Sequence, residues 1–124
     1  MQAPYYNEAV RRLFAAPAHA GDASGITADV ARGGAHVVLA ADLDGSRIVK
    51  MRFRVLGCPH LVAAAEAACA GLEGQPAAAL REFSIGDIMG ILEIPVEKTG
   101  PMLLLEDAIG ALGQQIISKD SNRS

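Results

Sequence analysis

The chain contains two cysteines, and Cys58 is the one placed for chemistry. Apolar and basic residues alternate through the segment before it, which predicts a half-buried strand. Pro59 and an alanine-rich run to Leu72 follow, which predicts a helix that begins directly after the cysteine. At such a helix N-cap, unpaired N–H groups and the helix dipole favour the thiolate, the form that attacks electrophiles and binds metals. The alternative is a small apolar residue that fills a tight turn.

Cys69 does not complete a local pair with Cys58. The two residues are eleven positions apart in one predicted helix, which separates them by roughly 16 Å along its axis. A disulfide needs Cα atoms within about 7 Å. Alanines flank Cys69, so we expect it to be a small buried core residue and Cys58 to be the only candidate thiol.

Length and composition favour one globular domain. The 124 residues are 51% hydrophobic and carry a formal net charge of −3, so we expect a single domain over 1–124 with a polar tail from about residue 119. No basic patch favours nucleic-acid binding. No apolar run approaches the length of a membrane span, and the start of the sequence does not resemble a signal peptide. These features predict a cytoplasmic protein with reduced thiols, without nucleic-acid or membrane partners.

The order of predicted elements indicates the fold class. Asp44-Gly45 is typical of a hairpin turn, and Ser84 with Asp87 resembles a capping box. Strands come first and helices follow, which predicts an α+β fold: a three-stranded antiparallel sheet with an N-terminal helix and C-terminal helices packed on it. The predicted elements are a helix over Glu8–Ala16, strands over Ile26–Ala31, Ala35–Leu43 and Ile48–Leu56, helices over Pro59–Leu72, Ala77–Phe83 and Ser84 to about Leu92, and a last helix from Gly100-Pro101.

Several segments carry a resemblance to a known family. They are the opening Tyr6–Val10 (Tyr-Asn-Glu-Ala-Val), the strand and turn Met51–Cys58 (Met-Arg-Phe-Arg-Val-Leu-Gly-Cys), and Glu106–Ile109 (Glu-Asp-Ala-Ile) in the last helix. In this order the chain resembles the iron–sulfur cluster assembly scaffolds of the IscU and NifU N-terminal type, from Tyr5 to about Ile117. The resemblance implies a protein that is not an enzyme and that works with a cysteine desulfurase or other iron–sulfur assembly proteins.

The resemblance also implies a ligand set that this chain lacks. The family uses three cysteines and an aspartate, often with a histidine, and only its middle cysteine matches here, as Cys58. Arg32 stands at the position of the first cysteine, Gly34 at that of the aspartate, and Gly100-Pro101 at that of the final His-Cys. Because a cluster usually takes four protein ligands, the resemblance implies a divergent member with a degenerate ligand site.

Other residues expected around Cys58 bear on whether the degenerate site could still bind a cluster. His60, His36 and Asp29 are conceivable substitute ligands, although lone histidines are more often structural. If the fold is kept, the guanidinium of Arg32 lies near Cys58, where it would stabilise a thiolate and repel an iron cation. Cys58 is therefore the predicted sulfur acceptor or cluster ligand, with Arg32, Gly34, His60 and Pro101 as neighbours.

Three functions remain open. The favoured one is an accessory or sulfur-accepting member of iron–sulfur assembly, which binds iron or a cluster weakly through Cys58, only between the two chains of a homodimer, or not at all. The second is a single-thiol redox or transfer protein, and the third is an interaction module without chemistry. The family's chaperone-recognition segment corresponds to residues 94–98 and is altered in its middle.

Overall fold

A computed structural model of the chain describes residues 7–21 and 25–121, with side chains described as far as residue 116. It confirms the predicted α+β fold: an N-terminal helix, a three-stranded antiparallel sheet in the order β1-β2-β3, and C-terminal helices. The elements are α1 (Glu8–Ala15), β1 (Ile26–Arg32), β2 (Ala35–Asp44), β3 (Arg47–Leu56), α2 (Pro59–Leu72), α3 (Ala79–Glu82), α4 (Gly86–Ile91), a 3-10 turn (Val96–Lys98) and α5 (Thr99–Ser121).

The inner face of the sheet meets α2 and α5. Helix α5 packs on β1 and β2, and α2 packs on β3 and is covered in turn by α1. Helix α5 buries residues at helical spacing, as predicted, and continues to Ser121, beyond the expected start of the polar tail. No helix in the described part of the chain is long and apolar enough to cross a membrane. The apolar residues that recur at helical spacing along α5 are buried: Leu104, Leu105, Ala108, Ile109, Leu112 and Ile116.

A bulge in the β2–β3 pairing corrects one predicted strand face. Alternation places Val49 beside Met51 and Phe53 on the buried face, but Val49 is 51% exposed and Ile48 is buried instead. The register shifts between Asp42 and Leu43, so one extra residue on β3 moves Val49 outward. Because side chains alternate with period two, such a shift exchanges inside and outside along the strand.

The predicted helix starts are right for α1 and wrong for α4. Asn7 caps α1, since its Oδ1 accepts a hydrogen bond from the backbone N–H of Val10 at 2.9 Å. The capping box at Ser84 is incomplete: the Ser84 hydroxyl accepts a long hydrogen bond of 3.5 Å from the Gly86 N–H, but the residue directly before α4 is Ile85, whose side chain makes no capping bond. Phe14 of α1 faces outward and is 46% exposed.

The outer edge of β3 is paired with loop segments. Phe53 donates its N–H to the His19 carbonyl at 3.0 Å and accepts from Gly21 at 2.9 Å. At the other end of the strand, Ile48 donates to the Gln75 carbonyl at 2.8 Å and accepts from Gly74 at 2.7 Å. Main-chain hydrogen bonds therefore hold two loop segments, residues 19–21 and 74–75, against the outer edge of β3.

Candidate functional site

Cys58 lies in the turn between β3 and α2, as predicted. It is the N-cap residue of α2, its backbone is extended, and its side chain makes no capping hydrogen bond. Its carbonyl accepts from the N–H groups of Leu61 and Val62 at 3.0 and 3.2 Å. The thiol is partly buried and forms no disulfide, so it lies at the start of α2 without a hydrogen bond that would fix it as a cap.

Gly57 is required by the packing of this turn. A Cβ there would lie 2.8 Å from Cδ2 of Leu61, which is fully buried, and 3.8 Å from the Cβ of Ala35. Ala35 begins β2, so the tip of the β1–β2 hairpin lies beside the cysteine turn. Gly33 and Gly34 form that tip with φ of 59° and 85°, a region that favours glycine. The structure thus brings Gly34 to the Cys58 end of the sheet.

Arg32 precedes the same hairpin tip, and its guanidinium has an acidic partner. Its Nη2 donates to Oδ2 of Asp107 on α5 at 2.8 Å, and both side chains are exposed. The carboxylate of Asp107 therefore offsets the positive charge of Arg32, which was expected to act on the Cys58 thiol. That Arg32 lies close enough to Cys58 to stabilise a thiolate stays a prediction.

His60 and Pro101 occupy the first turns of α2 and α5. His60 is only 4% exposed. Its burial and then the positive charge of Lys98 lower the pKa of the imidazole, so it is uncharged at neutral pH. Pro101 is half-buried in the first turn of α5. Cys58 and His60 therefore share a helix start, but His60 is directed into the protein.

The other conceivable ligands pair with each other. Nε2 of His36 lies 2.5 Å from Oδ1 of Asp29 on the neighbouring strand, and both side chains are exposed. Within residues 7–21 and 25–121, no three histidine, cysteine, aspartate or glutamate side chains come together in a way that could hold a metal ion. The donor side chains of these described residues do not fit an iron–sulfur cluster held by one chain.

A charged network at the opposite end of α2 is a feature that the sequence analysis missed. Nδ1 of His19 lies 2.6 Å from Oε2 of Glu66, and its Nε2 lies 3.1 Å from Oε1 of Glu73. The backbone N–H of His19 also donates to Oε1 of Glu66 at 2.7 Å. Glu73 accepts further bonds from the Met51 N–H at 2.7 Å and from Arg52 at 3.0 Å. The network ties the segment before β1 to α2 and to β3.

These contacts shift the pKa values of the network. Burial alone lowers the pKa of His19, but hydrogen bonds to Glu66 and Glu73, with their charges, raise it above its usual value. Burial alone raises the pKa of Glu73, but bonds from the Met51 N–H, His19 and Arg52 lower it below its usual value. His19 thus favours its charged form beside Glu66 and Glu73.

Cys69 lies fully buried against this network. Burial first, and then the charges of Glu66 and Glu73, raises the pKa of its thiol to about 12, while Arg52 partly offsets the effect. Burial and the raised pKa both favour the protonated thiol at Cys69, and its burial confirms the core position that its alanine neighbours predict. One signal could have revealed the network: Glu66 is the only charged residue inside the apolar run of α2, and buried charges require partners.

Comparison with solved structures defines the class of fold. The chain is similar to a NifU-like protein (N-terminal) from Brucella abortus with a TM-score of 0.74 and 18% identity, over 91% of this chain and 94% of that one. It is also similar to a putative iron–sulfur cluster assembly scaffold protein for the SUF system from Fervidobacterium islandicum, with a TM-score of 0.68 and 15% identity, over 84% and 93% of the two chains. A third similar structure is of a hypothetical protein, with a TM-score of 0.65 and 17% identity, over 85% and 96%.

These similarities confirm the predicted resemblance at the level of the fold. The chain has the architecture of the NifU N-terminal and SUF-system scaffold structures over nearly its whole length. A scan against models of known families gives no match, and no curated protein matches in sequence. The low identities are those of a divergent sequence on this fold.

Proposed function

We propose that this protein takes part in iron–sulfur cluster assembly as an accessory, sulfur-accepting member that acts through Cys58. The observation that supports the proposal best is the position of this thiol. In a fold shared with assembly scaffolds, the partly exposed Cys58 stands at the start of α2, and the only other cysteine is buried and has a raised pKa.

The proposed reaction is the transfer of one sulfane sulfur from a cysteine desulfurase that carries a persulfide. The Cys58 thiolate attacks the outer sulfur of the donor persulfide, and the donor sulfur–sulfur bond breaks as a new one forms on Cys58. The donor cysteine leaves as a thiolate and takes up the proton that Cys58 gave up. The exchange needs no external oxidant or reductant.

The chemistry of the donor set supports an accessory role over that of a complete scaffold. Cys58 is a soft ligand, whereas Arg32 is paired with Asp107, His36 is paired with Asp29, and His60 is buried. A cluster on this chain would need ligands from a second copy or from small thiols. For this reason the proposed reaction does not pass through a bound cluster.

Sulfur transfer can be tested with a desulfurase charged with cysteine under anaerobic conditions. Intact-mass measurement should show the addition of one sulfur atom to the wild-type chain and to Cys69→Ala, and none to Cys58→Ala. Trypsin would leave both cysteines in one peptide, so the two variants assign the modified residue. Absence of added sulfur on the wild-type chain would contradict the proposal.

Anaerobic reconstitution with iron and sulfide tests the cofactor question separately. Visible absorbance and iron per chain should stay at background for the single chain, with or without Cys58. A Cys58-dependent cluster in a dimer would instead assign the protein a cluster-carrying role between chains. The gel-filtration profile of the reconstituted sample distinguishes the two outcomes.

An interaction module without chemistry is the second candidate, and one observation favours it. Leu56, directly before the Gly57-Cys58 turn, is 70% exposed, and large apolar side chains at a surface are typical of protein contacts. In that case Cys58→Ala would leave partner binding intact, whereas Leu56→Ser would weaken it.

A further inference from the structure

A groove lies between the C-terminal half of α2 and the segment from α3 to α4. Its volume is about 400 Å³, within the range of small binding sites in proteins. Its nearest α2 residue, Ala67, lies nine positions from Cys58, or roughly 13 Å along the helix. The groove is therefore separate from the cysteine turn, and the proposed sulfur transfer does not use it.

The floor of the groove is apolar and has room for an occupant. Ala67, Ala68 and Gly71 of α2 form one wall, and Phe83, Ile88, Ile91 and Leu92 are among the residues opposite. Ile91 is 76% exposed, which leaves a large apolar side chain in water at the wall of the groove. A Cβ at Gly71 would meet no atom within 4 Å, so the space above this glycine is open.

Two carboxylates on the rim give the groove a charge preference. Glu82 at the end of α3 and Asp87 in α4 both line it and are both exposed. Neither carboxylate forms a hydrogen bond or an ion pair with any residue that the structure describes. Among the described residues that line the groove, none is a lysine or an arginine. An occupant with positive charge beside an apolar group would complement both features.

We propose that this groove is a docking site for a segment of a partner protein in which large apolar side chains are flanked by lysine or arginine. The apolar side chains fill the space over Gly71 and cover Ile91, and the basic side chains meet Glu82 and Asp87. This is the groove mode of peptide recognition, in which apolar anchors supply affinity and rim charges supply selectivity. An acidic segment of equal hydrophobicity is repelled by the same rim.

Two matched peptides serve as probes: Ac-Gly-Lys-Leu-Leu-Lys-Gly-NH₂ and its counterpart with glutamate in place of lysine. Amide chemical shifts of the ¹⁵N-labelled protein are followed during titration at low salt. The lysine peptide should shift the resonances of residues 67–72 and 82–92 saturably, and should bind at least about fivefold more tightly than the glutamate peptide. Added salt should reduce that difference.

Variants separate the groove from the rest of the surface. Gly71→Leu fills the open space and should reduce binding of the lysine peptide about tenfold or more. Gly110→Leu on α5 is the matched control, because a Cβ there also meets no atom within 4 Å and Gly110 does not line the groove. The double variant Glu82→Gln, Asp87→Asn should remove the preference for lysine over glutamate without altering the fold.

Each result supports or overturns the proposal. Saturable shifts confined to the groove, with the expected response of the variants, support it. Equal binding of both peptides, binding that survives Gly71→Leu, or no saturable shift at millimolar peptide overturns it. Shifts at residues 67–72 and 82–92 that depend on protein concentration alone, with a dimer in sedimentation, would assign the groove to a second copy and also overturn it.

Discussion

The two cysteines have the same side chain and opposite surroundings: Cys58 directly precedes α2, and Cys69 lies within it. Cys58 stands before the first turn, half-exposed and without a side-chain hydrogen bond. Cys69 is fully buried beside Glu66 and Glu73, and its pKa is raised to about 12. One end of the helix is open for chemistry, and the other is enclosed by a network that holds three parts of the chain together.

The difference shows that position decides what a thiol can do. A helix start supplies unpaired N–H groups to Cys58, whereas the interior around Cys69 supplies only apolar contacts and negative charge. The network that raises the pKa of Cys69 also joins the segment before β1 to α2 through the contacts of His19 with Glu66. We therefore expect function and stability to separate along α2, and the following measurements test that separation.

Thiol labelling should show the largest contrast. In the folded protein, Cys58 should react readily with a thiol reagent such as 5,5′-dithiobis(2-nitrobenzoate), and Cys69 should react only through opening of the fold. Because such openings are rare, we expect labelling rates that differ by at least about a thousandfold. Rates in the Cys58→Ala and Cys69→Ala variants assign the two phases. Comparable rates would mean that α2 is not closed over Cys69.

Removal of Glu66 should cause the largest loss of stability. Glu66→Ala leaves the His19 backbone N–H and ring without the partner they have in a buried setting. We expect the free energy of unfolding to fall by about 3 kcal/mol in urea denaturation. Glu82→Ala, at an exposed carboxylate, is the control and should change it by less than about 0.5 kcal/mol. A near-neutral Glu66→Ala would show that the network is not structural.

A methyl group at Gly57 should disturb the cysteine turn. Gly57→Ala places a Cβ 2.8 Å from the buried side chain of Leu61, and we expect a loss of about 1–2 kcal/mol from the strain. Gly71→Ala, inside α2 with open space above it, should instead gain up to about 1 kcal/mol from helix propensity. Thermal melts of the two variants measure the opposite signs. Equal effects would contradict the close packing at Gly57.

The pH dependence of stability should be the smallest of these effects. When His19 loses its proton, its neutral ring still has one N–H group that can donate to Glu66 or Glu73. The raised pKa of His19 means that its contribution is complete below its unfolded value, about 6.5, and is lost as the pH rises through the folded value. The lowered pKa of Glu73 means that its contribution is complete above about 4.5 and is lost as the pH falls. The network should therefore stabilise most between about pH 4.5 and 6.5.

Urea midpoints from pH 4 to 9 measure this profile. His19→Gln should flatten its alkaline side, because the titrating imidazole is gone. His36→Gln, at the exposed pair with Asp29, should leave the profile of the wild type largely unchanged. An alkaline decline that persists in His19→Gln would have to come from another group.

Most of the fold could be predicted because its signals are local. Pro59 and the alternation before Gly57 suffice to place the β3–α2 turn, and the predicted element bounds lie within two residues of those observed. The errors arose where one contact overrides a pattern. The bulge beside Leu43 exposes Val49, and Ile85 rather than Ser84 directly precedes α4.

The surroundings of the site were harder to predict because they depend on distant partners. Arg32 meets Asp107, 75 positions away, and His19 meets Glu66, 47 positions away. No periodicity or turn signal indicates such pairs. The position of Cys58 could be predicted because neighbouring residues determine its turn. The network and the groove depend instead on how α2 packs against segments that are distant in the sequence.

The occupied edge of β3 has a consequence for self-association. A bare strand edge invites another chain to continue the sheet, which is a common start of aggregation. Here the N–H groups of Ile48, Met51 and Phe53 are already bonded by Gln75, Glu73 and His19. An incoming strand would have to displace these groups first, so the β3 edge resists strand addition by another chain and the formation of fibrils.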